Sequence, residues 1–212
     1  MSAIGMVRKG ERTRQKLMEA ARLVFARDGY LNAEVSEISR VAEKSAGALY
    51  IYFQNKSAIL DALIDEFTAD VLGQDFDRSP AFYERFAYAD LRETLRVVWD
   101  VYKRHAATFY ALAQAAMIDR HFEERYRETR SRANQDFRGM IESRQAKGFC
   151  RGLDPHYGAE CLETLLVNSH HEWLAVQASR FDDPAQESRA FETLLETFRL
   201  ILGFEPEAHA GG

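Results

Sequence analysis

Cysteine is nearly missing from this 212-residue chain, with Cys150 and Cys161 as its only two. Neither belongs to a C-x-x-C spacing, so neither a zinc ribbon nor a disulfide framework organises the fold, and two free thiols in a reducing compartment are expected. Proline is scarce at four residues, glycine reaches twelve, and β-branched runs are few. Long Ala/Leu/Glu/Arg-rich segments therefore run with little punctuation, and the predicted fold class is all-α. No run of eighteen apolar residues occurs and the N-terminus lacks the apolar core of a signal peptide, so neither membrane insertion nor export is expected and the predicted location is cytoplasmic. Catalytic signatures are missing as well: there is no G-x-S-x-G, H-E-x-x-H, Walker loop or Glu-x-x-His pair. An enzyme is not expected, and no catalytic residue or cofactor is assigned.

What is present is a 46% hydrophobic, 29% charged composition, suited to one globular unit or two small ones with a shared core. The net charge of −5 argues on average against nucleic-acid binding. The average conceals an asymmetry. Residues 1–56 carry ten Lys/Arg against six Asp/Glu, a surplus of four that leaves the remainder at −9. Arg8, Lys9, Arg12, Arg14 and Lys16 face only Glu11, and a basic arm of this kind can follow phosphates. The competing reading is an ordinary solvated face.

Residues 1–10 lack periodicity and are expected to stay outside the first helix, which Thr13 can cap. Leu17, Ala21, Val24 and Phe25 then make an apolar stripe that stops at Gly29, a natural C′ residue. Val35, Ile38 and Ala42 mark a short second helix. A very short third helix follows from Ser45 to the neighbourhood of Lys56, with Ser45 as its N-cap and Asn55 capping the next helix. About two turns cannot persist alone in water, so Leu49 and Phe53, four apart, must anchor this segment to a neighbour. Ala46, Gly47 and Ala48 leave its first turn free to approach a partner closely. Two short helices joined by a brief turn have the dimensions of a helix-turn-helix.

From Arg12 to Leu60, the positions Ala20-Ala21, Phe25, Gly29-Tyr30, Ile38 and Leu49-Tyr50-x-Tyr52-Phe53-x-x-Lys56 resemble the DNA-binding domain of the tetracycline-repressor (TetR) family. The resemblance covers about the first quarter of the chain. It implies a DNA-binding domain over residues 1–55 with a basic N-terminal arm, and an effector-binding and dimerisation domain over 56–212 that begins with a linker helix at 56–72. It further implies that the third helix enters the major groove, with Ser45, Ala46, Gly47 and Ile51 facing bases or the groove wall. Tyr50, Tyr52 and Lys56 would reach phosphates or support those contacts; hydroxyls, ammonium groups and a helix N-terminus all suit phosphate. Three positions depart from the family pattern. Glu43 replaces a common glycine where a left-handed turn is convenient, Lys44 replaces an apolar residue, and Ala33-Glu34 stand where Thr or Ser commonly caps the second helix and binds phosphate. Asn32 is the alternative cap. Glu34 and Glu43 would oppose phosphate, so weaker non-specific affinity or a pose that turns them aside is expected.

Beyond a boundary at Gly73–Pro80, helices are predicted over about 81–104, 107–117, 120–146, 155–180 and 186–203, a bundle domain. Trp99, Tyr102, Phe109, Tyr110, Met117, Phe122, Tyr126, Phe137 and Trp173, with Asn134 and His170 as sparse polar groups, have the chemistry of a small-molecule pocket. Plain hydrophobic core is the competing reading for each aromatic; the family resemblance implies an effector site. His170 and His171 diverge by about 100° on a helix and cannot easily share one ion, so no metal is assigned. His170 is instead read as a hydrogen-bond donor to an effector or as a satisfied interior histidine. Leu162, Leu165, Leu166 and Trp173, with Phe191, Leu194, Leu195, Phe198, Ile201 and Leu202, exceed what one core-facing stripe per helix needs. A homodimer through the last two helices is therefore expected, as the family resemblance also implies. The leading expectation is a homodimeric repressor that binds a palindromic double-stranded DNA operator and releases it to a small apolar or aromatic effector. A helical ligand-binding protein with weakened DNA binding, or an all-α enzyme, are the alternatives.

Overall fold

In the computed structural model, the described residues are 3–73, 77, 79–176 and 183–205. Every regular element among them is helical: α1 (Ala3–Asn32), α2 (Val35–Val41), α3 (Ala46–Tyr50), α4 (Lys56–Gly73), α5 (Pro80–Arg85), α6 (Tyr88–Ala116), α7 (Arg120–Ala146), α8 (Pro155–His170) and α9 (Pro184–Leu202). A π-helical turn, His171–Val176, follows α8 directly.

The chain groups into two compact units. Met1–Asp70 with His105–Tyr126 forms the first, and Val71–Arg104 with Arg127–Gly212 the second. The grouping does not divide at residue 56, because α4 and the α6–α7 turn share the core of the first unit. Leu17, Ala21, Val24 and Phe25 of α1 lie there with Ile38, Leu49, Phe53, Leu60, Leu63 and Ile64, and with Ala111, Leu112, Ala115 and Phe122. Burying each of the larger side chains contributes roughly 1.5–3 kcal/mol, which is what holds the five-residue α3 in a helical form it could not keep alone. Leu49 and Phe53 are its buried anchors, as their spacing predicts.

Several boundaries differ from those expected. α1 begins at Ala3 rather than after Thr13. No break occurs at His105-Ala106, which lie inside α6; neither residue is a helix breaker, and His105 is buried with its Nε2 3.0 Å from Asp70 Oδ2. The break falls earlier, at Phe86-Ala87. There Asp90 reaches back to accept from the Ala87 N–H at 2.8 Å, half of a capping box that starts α6. Ser79 caps α5 by accepting from Phe82 N–H, with Pro80 at the first turn. The end of the helix expected over 155–180, from residue 177, lies outside the described residues.

The second unit takes most of the apolar surplus of the tail helices into its own interior. Leu162, Leu166, Phe191, Leu194, Leu195, Phe198 and Leu202 are all buried within one chain. What α9 leaves exposed is chiefly Leu200, at 63%, and Ile201, at 37%. The counting argument for a second apolar face thereby loses most of its residues: a helix enclosed by several neighbours buries more than one stripe. Cys150 and Cys161 are free thiols. No helix among the described residues is long and apolar enough to cross a membrane.

Candidate functional sites

The turn between α2 and α3 is a complete Schellman motif. Lys44 N–H donates to Ser39 O at 2.9 Å and Glu43 N–H to Arg40 O at 3.1 Å. Glu43 occupies the left-handed position with φ 56. The turn that glycine makes easily is therefore kept by a glutamate, at a conformational cost of about 1 kcal/mol. Glu34 stands at the N-cap of α2 without a side-chain capping bond and accepts from the Ser36 hydroxyl at 3.1 Å. Asn32 does not substitute as the cap, since its amide donates back to Asp28 O in α1.

Ser45 caps α3 by accepting from Ala48 N–H at 3.1 Å, which leaves its own O–H proton available to an outside acceptor. Ser45, Ala46 and Gly47 are exposed on the first turn. Tyr50 and Ile51 are 57% and 77% exposed on a segment whose other side is anchored by Leu49 and Phe53. Tyr52 is half-buried beside Gly10, and Arg14 lies over the Phe53 ring at 5.4 Å, so the start of α1 flanks the end of this segment. Asn55 caps α4 by accepting from Ala58 N–H at 2.9 Å.

Lys56 faces inward. Its ammonium donates to three carbonyls, Tyr30 O at 2.8 Å and Leu31 O and Ala33 O at 3.1 Å each, and lies 4.8 Å from the centre of the Tyr30 ring. An ammonium has three protons, and all three are engaged. Burial pushes its pKa down, with the Glu34 carboxylate pulling the other way. In this conformation Lys56 closes the end of α1 and has no donor left for a phosphate.

Ion pairs also redistribute the basic surplus of residues 1–56. Arg27 and Arg40 both hold Glu37, whose carboxyl they depress to about 2, and Arg27 also holds Asp28. Arg22 pairs with Glu66, and Arg14 stands 4.0 Å from Glu11. Arg12, Lys16 and Lys44 remain as cations with no ion pair recorded among the described residues. Arg12 and Lys16, four apart on α1, share one exposed helix face.

The interior residues with pocket chemistry fall into both units. In the first, Phe109 packs between Phe67, at 6.0 Å, and Tyr126, at 5.7 Å, and buried Phe122 meets Tyr30 at 5.9 Å. Phe122 is thus core beneath α1. Tyr110 is half-buried, and Met117 is 81% exposed in the turn after α6, past the point where the helical stripe still faces inward. In the second unit, Trp99 meets His170 at 5.1 Å and Trp173 at 6.1 Å, Tyr102 meets His170 at 4.8 Å, and Phe137 packs on Phe198 at 5.5 Å. Asn134 Oδ1 and His170 Nε2 are buried without a hydrogen-bond partner. Such orphans are rare and call for a water or ligand. Among the described residues no group of three or more His, Cys, Asp or Glu side chains could hold a metal.

His170 is 2% exposed, and burial lowers its pKa from 6.5 to about 4. The unfolded chain therefore binds a proton near pH 6.5 that the folded chain refuses. Stability is fully present above pH 6.5 and lost as pH falls toward 4, by about 2–3 kcal/mol at pH 4.5. Urea titrations at several pH values should show this decline, and His170→Phe should flatten that part of the slope; an unchanged slope would exclude a neutral buried imidazole.

Several key residues carry no sequence signal of their own. Gln114 Oε1 accepts from Tyr30 N–H at 2.6 Å, across the point where Gly29 leaves helical geometry. Buried Arg144 donates to Leu202 O at 3.0 Å and Gly203 O at 2.6 Å, closing α9 while stacked 4.0 Å from both Phe149 and Phe204. Glu163, fully buried, is held by Arg130. Each pairs with a residue distant in sequence, which periodicity does not report.

Residues 17–63 match the family model described as bacterial regulatory proteins, tetR family. The chain is 27% identical over 150 residues to the HTH-type transcriptional repressor NicS of Pseudomonas putida, covering 68% of each protein. It is 44% identical over 59 residues to the A-factor receptor protein of Streptomyces griseus, covering 28% of this chain and 21% of that one. Among solved structures, a TetR-like transcriptional regulator from Rhodococcus shares the fold with a TM-score of 0.64 at 20% identity, over 90% of this chain and 96% of that one.

Proposed function

We propose that this chain, whose residues 17–63 match the model of the tetR family of bacterial regulatory proteins, is a repressor that binds a palindromic operator as a homodimer and leaves it when a small apolar or aromatic effector enters the helical bundle. The observation that carries the reading is α3: a capped five-residue helix with Leu49 anchored in the core and Tyr50, with the following Ile51, exposed on the other side. Ser45, Ala46, Gly47 and Ile51 face the groove, Tyr50 and Tyr52 serve the backbone phosphates, and Lys56 supports them by fixing the end of α1 under α3's neighbours. Arg12, Lys16 and Lys44, which have no ion pair among the described residues, supply positive charge. Two such helices must sit one helical turn apart, about 34–36 Å, to read both halves of a palindrome. Exposed Leu200 and Ile201 on α9 support a contact between copies. The effector acts only if it prefers the released geometry, since equal affinity for both states shifts nothing.

Titrating purified protein against palindromes near its own gene, at several salt concentrations, tests this. Salt-sensitive binding with a negative log–log slope is expected. Tyr50→Phe should weaken all sequences by about three- to tenfold with no change in melting temperature, as a lost phosphate contact would. Lys56→Ala should weaken DNA binding and also lower the melting temperature, because it uncaps α1. Failure to bind any such palindrome would sink the reading. It would favour the second one, a ligand-binding protein with weakened DNA recognition, which exposed Glu34 and Glu43 beside the recognition segment suggest.

A further inference from the structure

His170 Nδ1 lies 2.6 Å from Leu166 O. A carbonyl oxygen only accepts, so Nδ1 carries the proton and donates it to the preceding helical turn. In a neutral ring the remaining nitrogen, Nε2, then bears a lone pair and no hydrogen. That lone pair is buried and unpartnered. The neighbouring rings cannot all serve it: the Trp99 indole N–H is engaged with Glu187 Oε1 at 3.0 Å, and Glu187 is also held by Lys103 at 2.6 Å. Asn134 Oδ1 is the other buried polar atom left without a partner in the second unit among the described residues, and it too is an acceptor. Both orphans thus ask for a donor.

A second observation points to the same place. Immediately after His170 the backbone widens into the π-helical turn His171–Val176, which carries Trp173. Such insertions break the regular ladder and occur frequently at functional sites. The rings packed on His170 are aromatic, Trp99 at 5.1 Å and Tyr102 at 4.8 Å, and Trp173 meets Trp99 at 6.1 Å.

We infer that His170 Nε2 accepts a hydrogen bond from the O–H or N–H of a planar aromatic effector, so that the ligand class is phenol-like or indole-like rather than a bare hydrocarbon or a carboxylate. This inference rests on the effector-responsive reading above and names the chemistry of its ligand. It also reverses the donor role that the sequence suggests for His170, because the donating nitrogen is spent within α8. A hydrocarbon would leave the acceptor unmet, and a carboxylate would set lone pair against lone pair.

The test uses the full chain without DNA. Trp99 and Trp173 are its only tryptophans, so fluorescence excited at their red edge reports this site alone. Phenol and anisole, alike in shape but not in donor capacity, are the probes. Phenol should bind about tenfold more tightly than anisole. In His170→Phe that preference should fall below about twofold, with anisole little affected. In wild-type protein labelled with ¹⁵N-histidine, saturating phenol should shift the unprotonated Nε2 resonance toward that of a hydrogen-bonded acceptor, a readout that stands even if the variant does not fold. Equal affinity for the two probes, no binding of either, a preference surviving His170→Phe, or an unmoved Nε2 resonance would each overturn the inference; the last three would leave water as the occupant. Absence of operator binding would instead overturn the regulator reading and leave this result untouched.

Discussion

Gly29→Ala should destabilise the first unit by about 2–4 kcal/mol and lower its melting temperature by roughly 5–15 °C. Gly29 sits at φ 74, ψ 163, where α1 leaves helical geometry, a region closed to residues with a Cβ. Holding a non-glycine residue there costs about 1–3 kcal/mol by itself. Space adds to the strain, since a Cβ would come within 2.9 Å of Gln114 Oε1 and 3.0 Å of its Nε2. Gln114 would have to withdraw, and the Tyr30 N–H it satisfies would lose its partner. An orphaned buried donor costs about 1–3 kcal/mol more, in part recovered if water reaches it. Gln114→Ala separates the two contributions, because it removes the hydrogen bond without straining the backbone and should cost about half as much. Chemical denaturation of both variants checks the order; a Gly29→Ala protein within about 0.5 kcal/mol of wild type would mean that the backbone can leave this geometry freely.

Gly29 also marks the limit of what the sequence discloses. Its place at the end of an apolar stripe announces a turn, and Leu17, Ala21, Val24 and Phe25 are buried where a 3.6-residue period puts them. The left-handed turn at Glu43 is legible from the helix-turn-helix pattern although the residue itself argues against it, because the geometry belongs to the two flanking helices. Nothing local announces that Gln114, more than eighty residues away, completes the break. The exposed face of α3 follows from its caps and anchors, so the candidate DNA-contacting surface is mostly readable in advance. Lys56 is the exception. A lysine stem reaches inward carbonyls or outward phosphates equally well, and only packing decides. The candidate pocket residues are less legible still, because an aromatic stripe looks the same whether it meets another helix or a ligand. Met117 keeps the helical period yet falls in a turn, and Phe122 keeps it yet belongs beneath α1. The assignment of Nδ1 as donor in His170 depends on one 2.6 Å distance that no spacing rule contains.

Arg130→Met should destabilise the second unit by about 3–5 kcal/mol. Glu163 is fully buried on α8, and the Arg130 guanidinium on α7 grips both its oxygens, Nε at 2.7 Å from Oε1 and Nη2 on Oε2, while Nη2 also donates to Thr164 Oγ1 at 3.1 Å. A planar fork matched to a carboxylate makes strong, directional bonds. Its value shows mainly on removal, because a carboxylate stripped of its cation stays in the interior with its solvation unpaid. Glu163→Leu alone should cost less, since Arg130 is partly exposed and its guanidinium can turn to water. The double variant Arg130→Met/Glu163→Leu should recover most of the loss, giving a coupling of at least about 2 kcal/mol in the cycle. A cost below about 1 kcal/mol for Arg130→Met would place the carboxylate in contact with solvent after all. The pair matters beyond stability. Asn134 lies one helical turn beyond Arg130, and His170 two turns beyond Glu163, so this contact sets the register of the two helices that carry the unpartnered acceptors. A double variant that regains wild-type stability but loses the preference for phenol over anisole would show that the ion pair is retained for alignment of those groups, with the apolar alternative sufficient for folding alone.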